Sequence, residues 1–204
     1  MVRERYLDIV AAVDIEFSRN RRLHGEKIRC ATGCTDCCHH PFHVTKIEAA
    51  HISEGVQRLD PRTREVLEAR SREYLEAHQK LVADHGEPPP GTRLACPALD
   101  QGVCVIYEFR PLMCHKFGMP IYNPEKPGQI FACELNFKNG EEIDDSKLIQ
   151  IQTGIHQSWK ELQFDYYHDG GYRNQEALTV AHAILDDFSE CTAAHQGADV
   201  RPIG

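Results

Sequence analysis

Between Cys30 and His43 the chain places four cysteines (Cys30, Cys34, Cys37, Cys38) and three histidines (His39, His40, His43) within fourteen residues. Thiolate and imidazole are the side chains that bind soft and borderline metals, so this density reads as a metal centre. A second block carries Cys96, Cys104, Cys114 and Cys133, so eight cysteines fall four and four on either side of a helical insertion, and the ninth, Cys191, stands apart. All eight are candidate metal ligands. Together they suffice for two tetrahedral zinc sites or for one iron–sulfur cluster with ligands to spare, and the count alone does not choose.

Spacing says more. Cys30, Cys34 and Cys37 form C-x3-C-x2-C, by which three thiolates wrap one [4Fe-4S] cluster and leave its fourth iron open or ligated from elsewhere. A radical-SAM enzyme uses this spacing, but it also needs a barrel of parallel strands, and this chain has almost no strand pattern. Adjacent Cys37 and Cys38 point to opposite sides of an extended segment, so one of them serves a different metal or none. Cysteines acting only as small buried hydrophobes belong in apolar runs. That description suits Cys191, whereas Cys30 to Cys38 sit among Thr35, Asp36, His39 and His40. With eight thiols available, His39, His40, His43 and His115 read as neighbours of the centre rather than ligands. Arg110 reads equally as the partner of a buried anionic centre and as a salt-bridge residue at a turn.

Several elements must position these residues. Tyr6, Ile9, Val10, Val13 and Phe17 recur at helical spacing and predict an amphipathic helix over residues 2–20 that leads into the first cysteines. Gly33 lets the backbone turn ahead of Cys34. Thr45-Lys46-Ile47-Glu48 matches a capping box for a helix through Val56. Asp60-Pro61 caps and starts a long helix to about residue 85, with His78 among its packing residues. The run Gly86-Glu87-Pro88-Pro89-Pro90-Gly91 forbids regular structure and separates the two cysteine blocks.

In the second half Asp100-Gln101-Gly102 predicts a turn before a strand over residues 103–107, giving a small hairpin. A short helix or turn over 110–115 and an irregular stretch over 118–128 follow. Helices over 146–163 and over 174–188, the latter capped by Asn174, close the core. Between them residues 164–172 form an aromatic loop, whose tyrosines are buried or offer a partner or substrate surface. The fold class expected is mostly α: one metal-binding, cysteine-cluster domain over residues 1–190 with a cysteine-rich loop region and a small β-hairpin, then a polar tail over 191–204.

Composition bounds the function. The 204 residues carry 23 basic and 31 acidic side chains, a net charge of −8, with 41% hydrophobic residues. Such a chain is an ordinary globular protein, and its charge argues against a nucleic-acid partner, since Arg19, Arg21 and Arg22 form the only notable basic knot. No segment approaches the ~20 apolar residues of a membrane span, and no signal-peptide pattern opens the chain. A cytoplasmic location is therefore expected, where nine cysteines favour metal or redox chemistry over disulfides.

The two blocks also resemble a known family. Cys30-x-x-Gly33-Cys34-x-x-Cys37-Cys38-His39 with Val44-Thr45 and Glu48-Ala49, then Cys96-Pro97-x-Leu99 and Cys104-x-Ile106-Tyr107-x-x-Arg110-Pro111-x-x-Cys114, are similar to the YkgJ-like cysteine-cluster proteins, nicknamed for a CxxCxxCC motif. One departure is that three residues, not two, separate Cys30 from Cys34. The resemblance implies zinc or iron chelation by the shared cysteines. Some larger relatives look like flagellin lysine methylases, but no glycine-rich nucleotide-binding turn follows a strand here, so that activity is not carried over. The adjacent cysteines and the C-x3-C-x2-C spacing favour an iron–sulfur protein, for instance [4Fe-4S], acting as a redox module or oxidoreductase on a protein or small-molecule partner. The alternative is a zinc-chelating structural or accessory module, its function carried by the helices and the Tyr166-Tyr167 loop.

Overall fold

The apolar stripe at the start of the chain folds as α1, Val2–His24, with Tyr6, Ile9 and Val13 buried along one face. The computed structural model describes residues 2–83, 86–139, 141–169 and 177–193. At the start of α2, Lys46–Gln57, the Thr45 side chain accepts from the Glu48 N–H and the Glu48 carboxylate accepts from the Thr45 N–H, the expected capping box. α3, Pro61–Val82, starts as expected on Asp60, whose carboxylate accepts from the Thr63 N–H. α4 (Leu112–Lys116), α5 (Leu148–Asp169), α6 (Val180–Leu185) and α7 (Glu190–Ala193) follow.

Three antiparallel pairs of two-residue strands complete the fold: β1 (His43–Val44) with β6 (Leu178–Thr179), β2 (Leu99–Asp100) with β3 (Val103–Cys104), and β4 (Ile121–Tyr122) with β5 (Ile130–Phe131). The architecture is thus mostly helical with small sheets, as expected. The β2–β3 hairpin turns on Gln101 and Gly102, both in the left-handed region (φ 45° and 82°), which a tight primed turn requires. Its second strand stops at Cys104, and Tyr107–Phe109 forms a 3-10 turn instead of continuing the predicted strand. Within the stretch expected to be irregular, Ile121 and Tyr122 pair as β4.

Two further expectations are corrected. Residues 164–169 are not a loop, because α5 runs on to Asp169; Tyr166 extends the buried stripe one turn beyond Leu162, and both are fully buried. Tyr166 is therefore core, not surface, while Gly170, Gly171 and Tyr172 lie outside the described residues. The helix expected over 174–188 contracts to α6, since Leu178 and Thr179 pair with Val44 and His43 before it starts. Asn174, residues 84–85 and residues 194–204 also lie outside the described residues.

Two hydrophobic cores flank α2. Ile52 and Val56 face one, with Leu67, Ala98, Ile106 and Ile184; Ile47 faces the other, with Tyr6, Val13, Leu112, Leu162 and Tyr166. Ser53 fastens α2 to α6 and to the chain just beyond it, its hydroxyl donating to Ala183 O at 2.9 Å and accepting from Phe188 N at 3.2 Å. His78 stacks on Tyr74 with ring centroids 5.8 Å apart. Among the described residues no helix is long and apolar enough to cross a membrane.

A buried polar bracket joins α1 to α5. Arg19 pairs with both Glu16 and Asp145, Asn20 Nδ2 donates to Glu16 Oε1 at 2.8 Å, and from α5 Gln152 Nε2 donates to Glu16 Oε1 at 3.5 Å. The Arg19 guanidinium holds the Asp145 carboxyl below its ordinary range. Because the folded-state value is the lower one, this contribution is full above the unfolded aspartate value of about 3.9 and is lost as pH falls through the folded one. Asp145→Asn should therefore cost about 1–3 kcal/mol near neutral pH. In denaturant titrations the deficit should shrink steadily below about pH 4.

Candidate metal centre

The two cysteine blocks are stitched together through their backbones. Asp36–His39 forms a single 3-10 turn, closed by Cys38 N donating to Thr35 O at 3.0 Å. Cys96 N donates to Cys38 O at 2.7 Å and Leu94 N to His39 O at 2.9 Å, so the second block enters alongside the first. The β2–β3 hairpin then brings Cys104 opposite Leu99, three residues after Cys96. Cys114 sits in α4, whose first residue, Leu112, is buried in the second core.

This path gathers four thiols. Cys114 lies within electrostatic reach of Cys37, Cys96 and Cys104, and Cys37 is likewise within reach of Cys96 and Cys104. Burial pushes the Cys96 thiol up to about 12 and those of Cys104 and Cys114 upward as well. The Cys37 thiol is raised first by its hydrogen bond with Cys38 and then by burial. Opposing these shifts, the Ala98 N–H donates to the Cys96 sulfur and the Ile106 N–H to the Cys104 sulfur, both from two residues further along. Such N–H to sulfur bonds orient a cysteine and favour its thiolate.

Cys30, Cys34 and Cys133 gather beside this group. Cys30 is within reach of Cys34, Cys37 and Cys133, so the C-x3-C-x2-C residues are neighbours, but Cys37 also belongs with the second block. Cys133 is buried and Cys34 exposed. Cys37 and Cys38 do not lie on the expected extended segment pointing apart: the 3-10 turn over Asp36–His39 brings the two thiols into hydrogen-bond contact. Cys191 packs on the second hydrophobic core, away from both groups. Among the described residues no three His, Cys, Asp or Glu side chains stand in ligand geometry about one point.

The histidines make contacts with oxygens and rings. His39 Nδ1 bonds Thr35 O at 2.9 Å, His115 Nδ1 bonds Asp14 Oδ1 at 2.7 Å, and His40 faces Asp36 at 3.5 Å while stacking near Phe42 and Phe117. His43 lies on the exposed side of β1. Arg110 has its guanidinium carbon 3.9 Å from the Tyr107 ring centroid, donates to Tyr107 O at 2.7 Å, and places positive charge near Cys104 and Cys114.

Residues that spacing did not single out also hold the site. Glu48 Oε1 accepts from Leu112 N at 3.0 Å, while Oε2 accepts from Thr45 N at 2.8 Å, so one buried carboxylate ties the start of α2 to the start of α4. Burial pushes this carboxyl above its ordinary range, against the pull of those donors. The capping box was visible in the sequence; its reach to Leu112, sixty-four residues away, was not. Asn136 and Gly118, which contact Cys30, carry no local signal beyond lying close to Cys133 and Cys114.

The sequence profile of the CxxCxxCC family, described as "Putative zinc- or iron-chelating domain", matches residues 29–139, which hold all eight clustered cysteines. No curated protein and no solved structure matches the chain.

Replacing Glu48 by Ala strips the buried Leu112 N–H and the partly buried Thr45 N–H of their acceptor. At ~1–3 kcal/mol each, the variant should lose about 2–6 kcal/mol in a urea titration. Hydrogen exchange at the Leu112 amide should accelerate with it, and unchanged protection there would contradict the tie between α2 and α4.

Proposed function

The chain belongs to the CxxCxxCC family, and from that premise we propose that Cys37, Cys96, Cys104 and Cys114 bind one metal centre as four thiolates, with an iron–sulfur cluster as its occupant. The observation that supports this reading is the backbone stitching of the two blocks, Cys96 N to Cys38 O at 2.7 Å with the β2–β3 hairpin carrying Cys104 back toward Cys96, which places half-buried cysteines of both blocks in one neighbourhood. The donor set is chemically apt. It is all sulfur, it is shielded from water, and it receives backbone N–H bonds at Cys96 and Cys104. Arg110 offsets part of the negative charge that four thiolates carry. When bound, an iron–sulfur centre supplies one-electron chemistry, which points to a redox role.

In the metal-free chain burial favours protonated thiols, so metal binding releases protons and draws the sulfurs together. Closure is thereby coupled to folding of the stretch between α3 and α5. There, among the described residues, no helix exceeds the five residues of α4 and each strand has two. The same weakness of regular structure favours a second reading, a closed structural zinc that staples this half of the chain.

Metal and acid-labile sulfide, assayed together on protein purified without oxygen, separate the two. The proposal expects about four irons and four sulfides per chain, with loss of both in Cys114→Ser and full retention in Cys191→Ser. Zinc without sulfide would replace the first reading by the second. Full metal content in Cys114→Ser would reject the ligand assignment itself.

A further inference from the structure

Three imidazoles meet at a seam that the cysteines do not use. β6 lies antiparallel to β1 with Thr179 opposite His43, and α6 starts directly after it. His182 in the first turn of α6 reaches back, its Nδ1 accepting from the Thr179 N–H at 3.1 Å and lying 3.0 Å from the Thr179 hydroxyl oxygen. From β1 the His43 ring meets His78 of α3 edge to face, with centroids 6.3 Å apart, and His78 also stacks on Tyr74. His78 Nε2 is buried without a hydrogen-bond partner. Imidazoles thus link β1, α3 and the β6–α6 segment, whose Val44, Leu67, Leu178 and Ile184 share the first core.

The position that His182 occupies in a capping box ordinarily holds Glu or Gln, whose acceptor oxygen does not depend on pH near neutrality. In His182 the acceptor is the lone pair of a neutral imidazole. A proton on that nitrogen points at the Thr179 N–H. The Thr179 hydroxyl can turn to accept it, but the amide, on a residue only 1% exposed, loses its acceptor where solvent does not replace it. His78 is constrained in parallel, because its charged form is a half-buried cation beside two further imidazoles. Burial, then His43, then His182 hold its proton affinity below the ordinary range.

The surroundings offer little to offset such charge. Tyr74 of α3 presents a phenol, which burial keeps neutral. α2 turns Ile52, Ser53 and Val56 toward α6, none of them charged. Among the described residues, Glu87 is the one carboxylate lining the open cleft that His43 borders, and both are exposed, so solvent screens that pair.

We propose that His43, His78 and His182 form a pH-sensitive latch, closed while the imidazoles are neutral, that releases β6 and α6 from β1 and α3 when they take up protons. The closed seam binds fewer protons than the open one, whose imidazoles titrate near the ordinary value of about 6.5, so opening is favoured as pH falls through that value. Each imidazole that must stay neutral raises the opening constant by up to about tenfold between about pH 7.5 and 5.5. His78 and His182, the two half-buried rings, together set a ceiling of about 100-fold. β1 follows the first cysteine block directly, so the latch fastens the C-terminal side of that loop.

Amide hydrogen exchange resolved by NMR tests the latch, on protein as purified, with rates corrected for the intrinsic effect of pH. The opening constant at the Thr179 and Ala183 amides should rise by about 10- to 100-fold from pH 7.5 to 5.5, while Val13 in α1 stays level. His182→Gln supplies an acceptor that does not titrate, so protection at pH 7.5 should hold and the rise should shrink by about tenfold. His78→Phe keeps a ring on Tyr74 and should shrink the rise by a similar factor. The double variant should be flat. Loss of metal at the cysteines would loosen wild type and double variant alike, so their difference reports the imidazoles. No rise in wild type would overturn the latch, as would a rise undiminished in the double variant. Matching rises at Val13 and Thr179 would show global unfolding and overturn it too.

Discussion

One carboxylate determines how the two halves of the site meet. Glu48 is buried and accepts from the Thr45 hydroxyl at 2.9 Å as well as from the Thr45 and Leu112 amides. The start of α2 is braced by it, and α4, which carries Cys114, is anchored to the same group. Burying a carboxyl is costly unless its lone pairs are used, and here three donors use them. The cost of leaving any of them unmet is what keeps the cysteines on either side of α3 in register. Burial raises the proton affinity of Glu48, and the same three bonds offset that tendency.

α2 occupies the middle of the fold because its two faces serve different cores. Ile52 and Val56 pack toward α3 and α6, Ile47 toward α1 and α5. The thiols collect at the edge of this junction. Cys96 and Cys104 pack against the first core, and Cys114 follows Leu112 out of the second. The surrounding chain is held by caps, single turns and two-residue ladders rather than by long elements. Such a framework orients sulfurs well through local N–H bonds but resists distortion poorly.

Local signals in the sequence were reliable where the physics is local. The Thr45 to Glu48 capping box, the Asp60-Pro61 helix start and the Gln101-Gly102 turn each depend on residues within four positions of one another, and each stands as expected. The extent of α5 is hidden in the sequence because Asp165, Gly170 and Gly171 resemble a loop. Tyr166 nevertheless falls four residues after Leu162, and burial of that ring keeps the helix going. α6 was overestimated because pairing of Thr179 with His43 is a contact across more than a hundred residues. The cysteines themselves were legible as a set, whereas the grouping of Cys37 with the second block was not. It depends on the bond from Cys96 N to Cys38 O and on the α4 anchor, neither of which has a spacing signature.

Charge balance gives the most general reason to regard the four-thiol group as a metal centre. Four thiolates in a shielded pocket would carry four negative charges, and Arg110 is the cation that tempers Cys104 and Cys114. One guanidinium cannot compensate four anions in a medium of low dielectric, so without a metal the group persists as neutral thiols. Yet neutral thiols have little need of the amides that point at the sulfurs of Cys96 and Cys104, since a thiol is a weak acceptor and a thiolate a strong one. Amides placed for thiolates, in surroundings that disfavour thiolates, are reconciled by a bound cation that supplies the missing positive charge. On the proposed assignment, coordination would also supply rigidity to the half of the chain that has little regular secondary structure.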